Sequence, residues 1–431
     1  MSRRVREIIP ERVAAPLVGR DGRDGRDKSA PTVCLHVVRP ARVDVRAQRA
    51  ADALARAGYA VVIIDVEEEA QTVEEEERGF RVRHIMLPRW HHTRRFEPFF
   101  FLKALQAFVQ GLSCLLRCDA DIYHACEVTA LPACFIAAKI RRKPLIFEAY
   151  ELPLHDVPLS EMGRLRRVFH GLLSLLLPRL IPACQAVIAV SPPIVAEIKR
   201  CYSIERVFLV RNILSYRAVA RSDRLREHLD LALSARIVLY QGNLQLDRGL
   251  DILVRAAPLL DPDTMIVLMG KGVGATQERL ESLIRELDVA GRIRIIPPVP
   301  YDELLDWTAS ADIGLTPMSL EYTLTVKWCL PNKVFEYIMA GLPILAAPLP
   351  AVQELIARYD VGQTVTPPAR EGATCSPIEV AHTINAMLAD RDSLARMREN
   401  ALRAARELCW ENESERLIEV YESVLHGLRT T

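Results

Sequence analysis

The sequence predicts an α/β protein of two doubly wound domains facing each other across a cleft, and three observations carry that expectation. Short aliphatic or β-branched runs alternate with helical periodicity along most of the chain, the pattern of parallel strands buried on both faces. The alternation comes as two series, separated by a polar, arginine-rich stretch at 212–235. With 431 residues, 50% of them hydrophobic, the chain has material for two cores.

Residues 1–30 are arginine-rich, contain the repeat Arg20-Asp21-Gly22-Arg23-Asp24-Gly25, and are expected to form a disordered tail. The first domain, 31–215, opens with a strand at 33–38, an amphipathic helix at 45–57 ending at Gly58, and a strand at 60–65. Strands follow at 121–125, 144–147, 186–190 and 207–210. The second domain, 216–408, has strands expected at 236–241, 265–269, 292–296, 312–316, 343–347 and 361–365. Helices at 378–388, 392–408 and 413–425 close the chain, the segment 409–431 standing apart from the second sheet. Ligands of doubly wound sheets bind at the carboxyl ends of strands, so the strand-to-helix loops should build the cleft.

A net charge of +1 gives no global field for nucleic acid, so an anionic partner must meet local basic residues. The ten cysteines contain no C-x-x-C pair and read as buried free thiols. Cys114, Cys118, His124 and Cys126 match no zinc spacing, and neither a metal nor another cofactor is expected. No apolar leader core or spanning segment is present, which predicts a cytoplasmic protein.

The segment Leu330-Pro331-Asn332-Lys333-Val334-Phe335-Glu336 up to Gly341 is the most informative. Pro331 suits the first helical position and Gly341 the position just past the end. Such a helix N-terminus offers free N–H groups to a diphosphate; Lys333 adds a full charge, and Glu336 can accept hydrogen bonds from ribose hydroxyls. The plain alternative is a solvated i,i+3 ion pair between the two. In Tyr240–Leu250 a strand ends at Gln241, Gly242 opens the loop, and Arg248 starts the next helix, where a guanidinium can grip phosphate oxygens. Met269-Gly270-Lys271-Gly272 ends the next strand with glycines that let backbone approach a ligand.

These segments, with 292–317, resemble glycosyltransferase family 4 of the GT-B fold. In the first half, Asp44-Val45-Arg46, His124-Ala125-Cys126-Glu127 and Phe147-Glu148-Ala149-Tyr150-Glu151 resemble the family's D-x-R-V, H-A-H-D and Y-D-A-H-E segments, and 410–425 looks like the helix that crosses back onto the first domain. The resemblance is closest to the branch with a P-N-K-x-F-E segment. It implies retaining transfer from a nucleotide diphosphate sugar without a metal. Arg248 and Lys333 match positions that hold the donor diphosphate and Glu336 the ribose-binding glutamate; Gly242, Gly270, Lys271, Val299, Pro331, Asn332 and Arg46 complete the expected donor set. Glu127, Glu151 and His155 are catalytic candidates in the first domain. Two positions depart from the family: Trp328 stands where many members carry a glutamate, and Tyr150 where they carry a histidine. A GT-B sugar-nucleotide epimerase and a degenerate, non-catalytic sugar-nucleotide binder are the competing readings.

The expected acceptor is a glycan or a lipid-linked sugar. Residues 162–181 set Arg164, Arg166, Arg167 and Arg179 beside a leucine-rich run, the pattern of an interfacial amphipathic helix, and a second cluster stands at 89–96 before Phe99-Phe100-Phe101. Peripheral contact with the inner face of an anionic membrane is the corresponding expectation. A core-facing helix with a solvated basic edge is the plainer one.

Overall fold

The computed structural model describes residues 30–67, 74–77, 79–87, 97–155, 157–245, 248–318, 322–365 and 375–429. The tail expected at 1–30 (Ala30 apart) and the cluster at 89–96 lie outside them, as do the side chains of Phe99, Phe100 and Phe101.

Residues 31–431 pack as one unit containing two sheets. The first comprises β1 Thr32–His36, β2 Ala60–Glu67, β3 Glu74–Glu77, β4 Phe80–Met86, β5 Ile122–Cys126, β6 Leu145–Ala149, β7 Ala186–Ala189 and β8 Val207–Leu209, in the order β3-β4-β2-β1-β5-β6-β7-β8. The second comprises β9 Arg236–Gln241, β10 Thr264–Met269, β11 Ile293–Ile296, β12 Ile313–Thr316, β13 Ile344–Ala346 and β14 Gly362–Thr364, in the order β11-β10-β9-β12-β13-β14. Every pairing is parallel except β3 with β4. Successive side chains feed opposite cores: Ile237 and Leu239 of β9 join one cluster, Val238 and Tyr240 the other. Burial on both faces is why these strands read as unbroken apolar runs.

In both sheets the order reverses beside the first strand, between β1 and β5 and between β9 and β12. Such reversals open a crevice at the strands' carboxyl ends. The loops after β9 and β12 carry Gly242, Arg248 and Met318; those after β1 and β5 carry Arg39 and Glu127.

Two elements differ from expectation. The hairpin β3–β4 was not anticipated, because β3 is four exposed glutamates, a charge run that resembles a solvated loop. It is fixed by Glu74 pairing with Arg81 and Arg83 of β4. The stretch 212–235 is more than a polar connector: Ile213 and Leu225 are fully buried, and Arg226 is enclosed between Asp312 and the carbonyls of Ser310 and Ala235.

The last helix, Trp410–Arg429, packs Leu417, Val420 and Tyr421 into the core that holds Val33 and Leu54 of the first half. Glu413 pairs with Arg211 at 2.8 Å and also accepts its backbone N–H. The Tyr421 hydroxyl meets Nδ1 of the buried His124.

Candidate functional site

The helix Asn332–Met339 begins one residue later than the sequence suggests, with Pro331 as its N-cap, and Gly341 follows its end at φ 64°. Val334, Phe335, Ile338 and Met339 are buried as expected, and Tyr337 with them. Lys333 and Glu336 do not form a solvated pair. Lys333 is only 9% exposed, and its ammonium sits 3.6 Å from the centroid of the Tyr240 ring. Glu336 accepts a 2.6 Å hydrogen bond from the Gln241 side chain, whose oxygen accepts in turn from the Thr308 hydroxyl at 2.8 Å. Burial raises the Glu336 carboxyl above its ordinary range, opposed by the Gln241 bond and by the charges of Lys333 and Arg49.

The loops after β9 and β10 are built on each other. Leu244 N–H donates to the Lys271 carbonyl and Val273 N–H to the Leu244 carbonyl, at 2.9 and 3.0 Å. Gly242 lies at φ 119°, where side chains are strained, and a Cβ there would meet the Lys333 ammonium at 3.5 Å. A Cβ on Gly270 would stand 1.8 Å from the Gly242 carbonyl oxygen, so glycine is required for the two loops to touch. Arg248 approaches the Gln245 side chain and the Met318 sulfur, reaching the switch point between β9 and β12. Lys271 and Asn332 are exposed beside this edge, and Val299 packs half-buried against the core beneath it.

Across the cleft, Glu151 is exposed on the loop after β6. The Cys329 thiol, pushed up to about 12 chiefly by burial, feels the charges of Arg248, Glu151 and Lys333 together. Glu127 stands at φ 71° after β5 and pairs with Arg39. Tyr150 lies near Asp44 under the Arg39 guanidinium, and burial pushes its phenol well up, so it acts as a neutral hydroxyl. Trp328 packs onto the first-half core, and its carbonyl accepts from Ser191 at 2.6 Å. Arg49 joins the halves elsewhere, donating to the Tyr301 hydroxyl and the Ile213 carbonyl.

Residues 43–214 match the family model described as Glycosyltransferase Family 4, and residues 222–404 that described as Glycosyl transferases group 1. Together the two models cover most of the chain, and its fold is GT-B. Its fold is similar to sucrose-phosphate synthase from Thermosynechococcus elongatus (TM-score 0.72, 16% identity, 92% of this chain and 100% of that one). It is likewise similar to Anabaena HepE, solved with UDP-glucose (TM-score 0.66, 16% identity, 93% and 100%). Among curated proteins it is 30% identical over 217 residues to D-inositol 3-phosphate glycosyltransferase 1 of Catenulispora acidiphila and 31% over 230 residues to the D-inositol 3-phosphate glycosyltransferase of Nocardia farcinica. These alignments span 48% and 49% of the chain and about half of each relative, 49% and 46%.

One residue expected at the donor site is used differently. Arg46 is 4% exposed and gives its guanidinium to Glu148 at 2.6 and 2.8 Å, to the carbonyls of Val210 and Arg211, and to the Trp410 ring face. Its four hydrogen bonds and the Trp410 contact fasten the last helix to the first sheet, because a buried guanidinium must have its charge and most of its donors met. Glu148, His124 and Cys126 place ligand-type atoms within 4.8 Å of one another, a trio that shares His124 and Cys126 with the four residues weighed in the sequence but brings in Glu148. Arg46 already compensates that carboxylate, so the trio is poorly suited to a cation. Burial alone would raise Glu148, yet Arg46 and His124 hold it down at about 2.

Sequence reading missed Gln241, Thr308 and Arg49. Gln241 was legible only as the polar end of an apolar strand, and Thr308 carried no signal. Arg49 lies three residues after Arg46, one helical turn on, and that spacing was available.

Proposed function

We propose that this protein is a retaining glycosyltransferase that moves a sugar from a nucleotide diphosphate sugar to a glycan or lipid-linked acceptor, in surface polysaccharide or glycoconjugate synthesis, without a metal. The observation that carries the proposal is that Arg248, Lys333 and Glu336 all lie at the carboxyl end of the second sheet, beside the loops after β9 and β12. Arg248, Lys333 and the N-terminus of Asn332–Met339 would hold the diphosphate, and Glu336, steadied by Gln241, would accept from the ribose. Gly242, Gly270 and Lys271 would let backbone close on the donor, with Val299, Pro331 and Asn332 flanking it. As the bond between the anomeric carbon and the diphosphate oxygen breaks, negative charge collects where these cations already stand. The acceptor oxygen bonds the anomeric carbon, and its proton leaves with the diphosphate or passes to a carboxylate. Glu151, at the carboxyl end of β6, is assigned to that end; Glu127, tied to Arg39, is assigned to orienting the acceptor. Retention rests on the resemblance to family 4.

Thermal shifts with UDP, GDP and ADP test the donor site. One diphosphate at about 100 times its Kd should stabilise the protein by about 2.7 kcal/mol, and Arg248→Ala should lose the shift. A wild-type protein that no diphosphate stabilises would contradict the assignment.

We also propose that the protein rests on an anionic bilayer at the inner face of the membrane. The helix Arg164–Leu180 buries Leu173, Leu177 and Leu180 but leaves Val168, Leu172 and Leu175 exposed away from that face. The helix Glu97–Arg117, covering the same core, exposes Leu102, Leu105 and Val109 at helical spacing. Four arginines and no carboxylate on Arg164–Leu180 favour an anionic surface over a second copy, which would set like charges together. No helix among the described residues is long and apolar enough to cross a membrane. Flotation with phosphatidylglycerol vesicles should carry the wild type and leave Leu172→Glu behind; equal flotation of both would refute this docking face.

A further inference from the structure

A line of buried polar side chains stands behind Glu336. Thr308, the last residue of the helix Leu304–Thr308, is fully buried, and Gln241, the last residue of β9, is 2% exposed. The Thr308 hydroxyl donates to the Gln241 side-chain oxygen at 2.8 Å, and the Gln241 side-chain nitrogen donates to Oε2 of Glu336 at 2.6 Å. The backbone is held at the same place. Tyr337, next along the helix Asn332–Met339, accepts the Gln241 backbone N–H at 3.2 Å. Its own hydroxyl hydrogen faces the carbonyls of Leu315 and Leu239, at 3.0 and 3.2 Å. The Tyr337 ring lies on Gly314 of β12, where a Cβ would stand 2.6 Å from it. The helix is thus fastened to β9 and β12 one residue beyond Glu336, and the carboxylate meets Gln241 from a fixed backbone.

Donor and acceptor roles along the line follow from its carboxylate end. An ionised carboxylate only accepts, so the Gln241 amide must turn its NH2 to Glu336 and its oxygen to Thr308. That oxygen is buried and needs a donor, which the hydroxyl supplies. The hydroxyl oxygen also approaches the Leu304 carbonyl at 2.7 Å, which holds it in place at the end of its helix. The last torsions of Gln and Glu side chains are soft, so a hydrogen bond at one end leaves such a group free to swing. Bonds at both ends of the Gln241 amide fix its plane, and through Oε2 they fix the plane of the Glu336 carboxylate.

We infer that Thr308 and Gln241 are positioning residues that align the Glu336 carboxylate and make the donor site select a nucleoside diphosphate whose ribose carries both hydroxyls. The inference rests on the transferase reading above, in which Glu336 accepts from the ribose. The 2′- and 3′-hydroxyls of a ribose leave the same face of the ring, and two such donors suit one carboxylate only when its plane is aligned with them. A carboxylate free to turn keeps its charge and loses that pair of bonds. Thr308 and Gln241 are too deeply buried to touch the nucleotide, so they act only through Glu336. Arg248 and Lys333 are assigned to the phosphates; this line is assigned to the hydroxyls.

The test is calorimetric titration of the full chain with UDP, GDP and ADP, and with the 2′,3′-dideoxy form of whichever binds best. The wild type should bind the ribose form about tenfold tighter or more than the dideoxy form. Thr308→Val keeps the side chain's shape without its hydroxyl, and should weaken the ribose form about three- to tenfold while leaving the dideoxy affinity unchanged. Gln241→Met should narrow the preference as far, and Thr308→Ser should restore it. Unchanged dideoxy affinity shows that the fold and the phosphate contacts survive the substitution. A wild type that binds both forms equally, or a Thr308→Val protein that keeps the full preference, would overturn the inference and leave the donor site standing. Equal loss of both forms in Thr308→Val would overturn it too, as general damage to the site. A wild type that binds no diphosphate would remove the donor reading and this inference with it.

Discussion

Lys333→Met removes one charge while keeping the aliphatic stem, and the structure sets what should follow. The ammonium is 9% exposed and lies 3.6 Å from the Tyr240 ring centroid, beside Gly242 and near Glu336. A desolvated cation–π contact contributes about 2 kcal/mol, but enclosing the ammonium costs a comparable amount in lost hydration. The two nearly cancel, so folding stability should change by less than about 1 kcal/mol. Donor binding has no such compensation. A charge-assisted contact to phosphate is worth about 1.5–3 kcal/mol, which is roughly 10- to 150-fold in Kd for the diphosphate. The transition state carries more charge on the leaving group, so kcat should fall by a further ~100-fold. Urea unfolding, diphosphate titration by calorimetry and nucleotide release from the donor sugar measure the three quantities. A variant that unfolds like the wild type and binds the diphosphate equally well would refute the assignment of Lys333.

Three other outcomes are expected. Because burial raises the Glu336 carboxyl, diphosphate affinity should begin to fall above the ordinary carboxylate range as pH is lowered, and Glu336→Gln should flatten that profile in calorimetric titrations. The stability sign is opposite: this group favours the fold at low pH and loses that contribution as pH rises through its raised pKa, so Glu336→Gln should be no less stable than wild type at neutrality. Gly270→Ala must push the Gly242 carbonyl from 1.8 Å, and should weaken diphosphate binding tenfold or more while circular dichroism stays native. Glu148→Gln leaves Arg46 buried against a neutral partner and should cost about 3–5 kcal/mol in urea unfolding. Its depressed pKa means the wild-type contribution persists above the unfolded value and is lost only as pH falls through about 2.

Much of this was legible in sequence because the strands are buried on both faces. β9 was read as residues 236–241, where the structure has it, since Ile237–Tyr240 feed two cores and turn signals flank them. The start of Asn332–Met339 shifted by one residue because a proline at the N-cap and one at the first turn leave the same signature. β4 was missed although Phe80, Val82 and Arg81, Arg83 alternate inward and outward, because its partner β3 carries no apolar residue. The part played by Arg46 was not legible: a motif arginine looks alike whether it meets phosphate or a glutamate 102 residues away. Exposure of Val168, Leu172 and Leu175 was equally hidden, since periodicity gives an apolar face without saying what covers it.

The most direct test of the central claim is nucleotide release from the donor sugar, identified by the stabilising diphosphate, with and without a neutral glycoside acceptor. Acceptor-dependent release is expected, with the sugar recovered on the acceptor and the rate reduced ~100-fold or more in Lys333→Met. Donor consumption that is indifferent to acceptor, with the sugar recovered free, would mean an epimerase-like reaction. No consumption by a protein that binds the diphosphate would leave a sugar-nucleotide binder and contradict transfer.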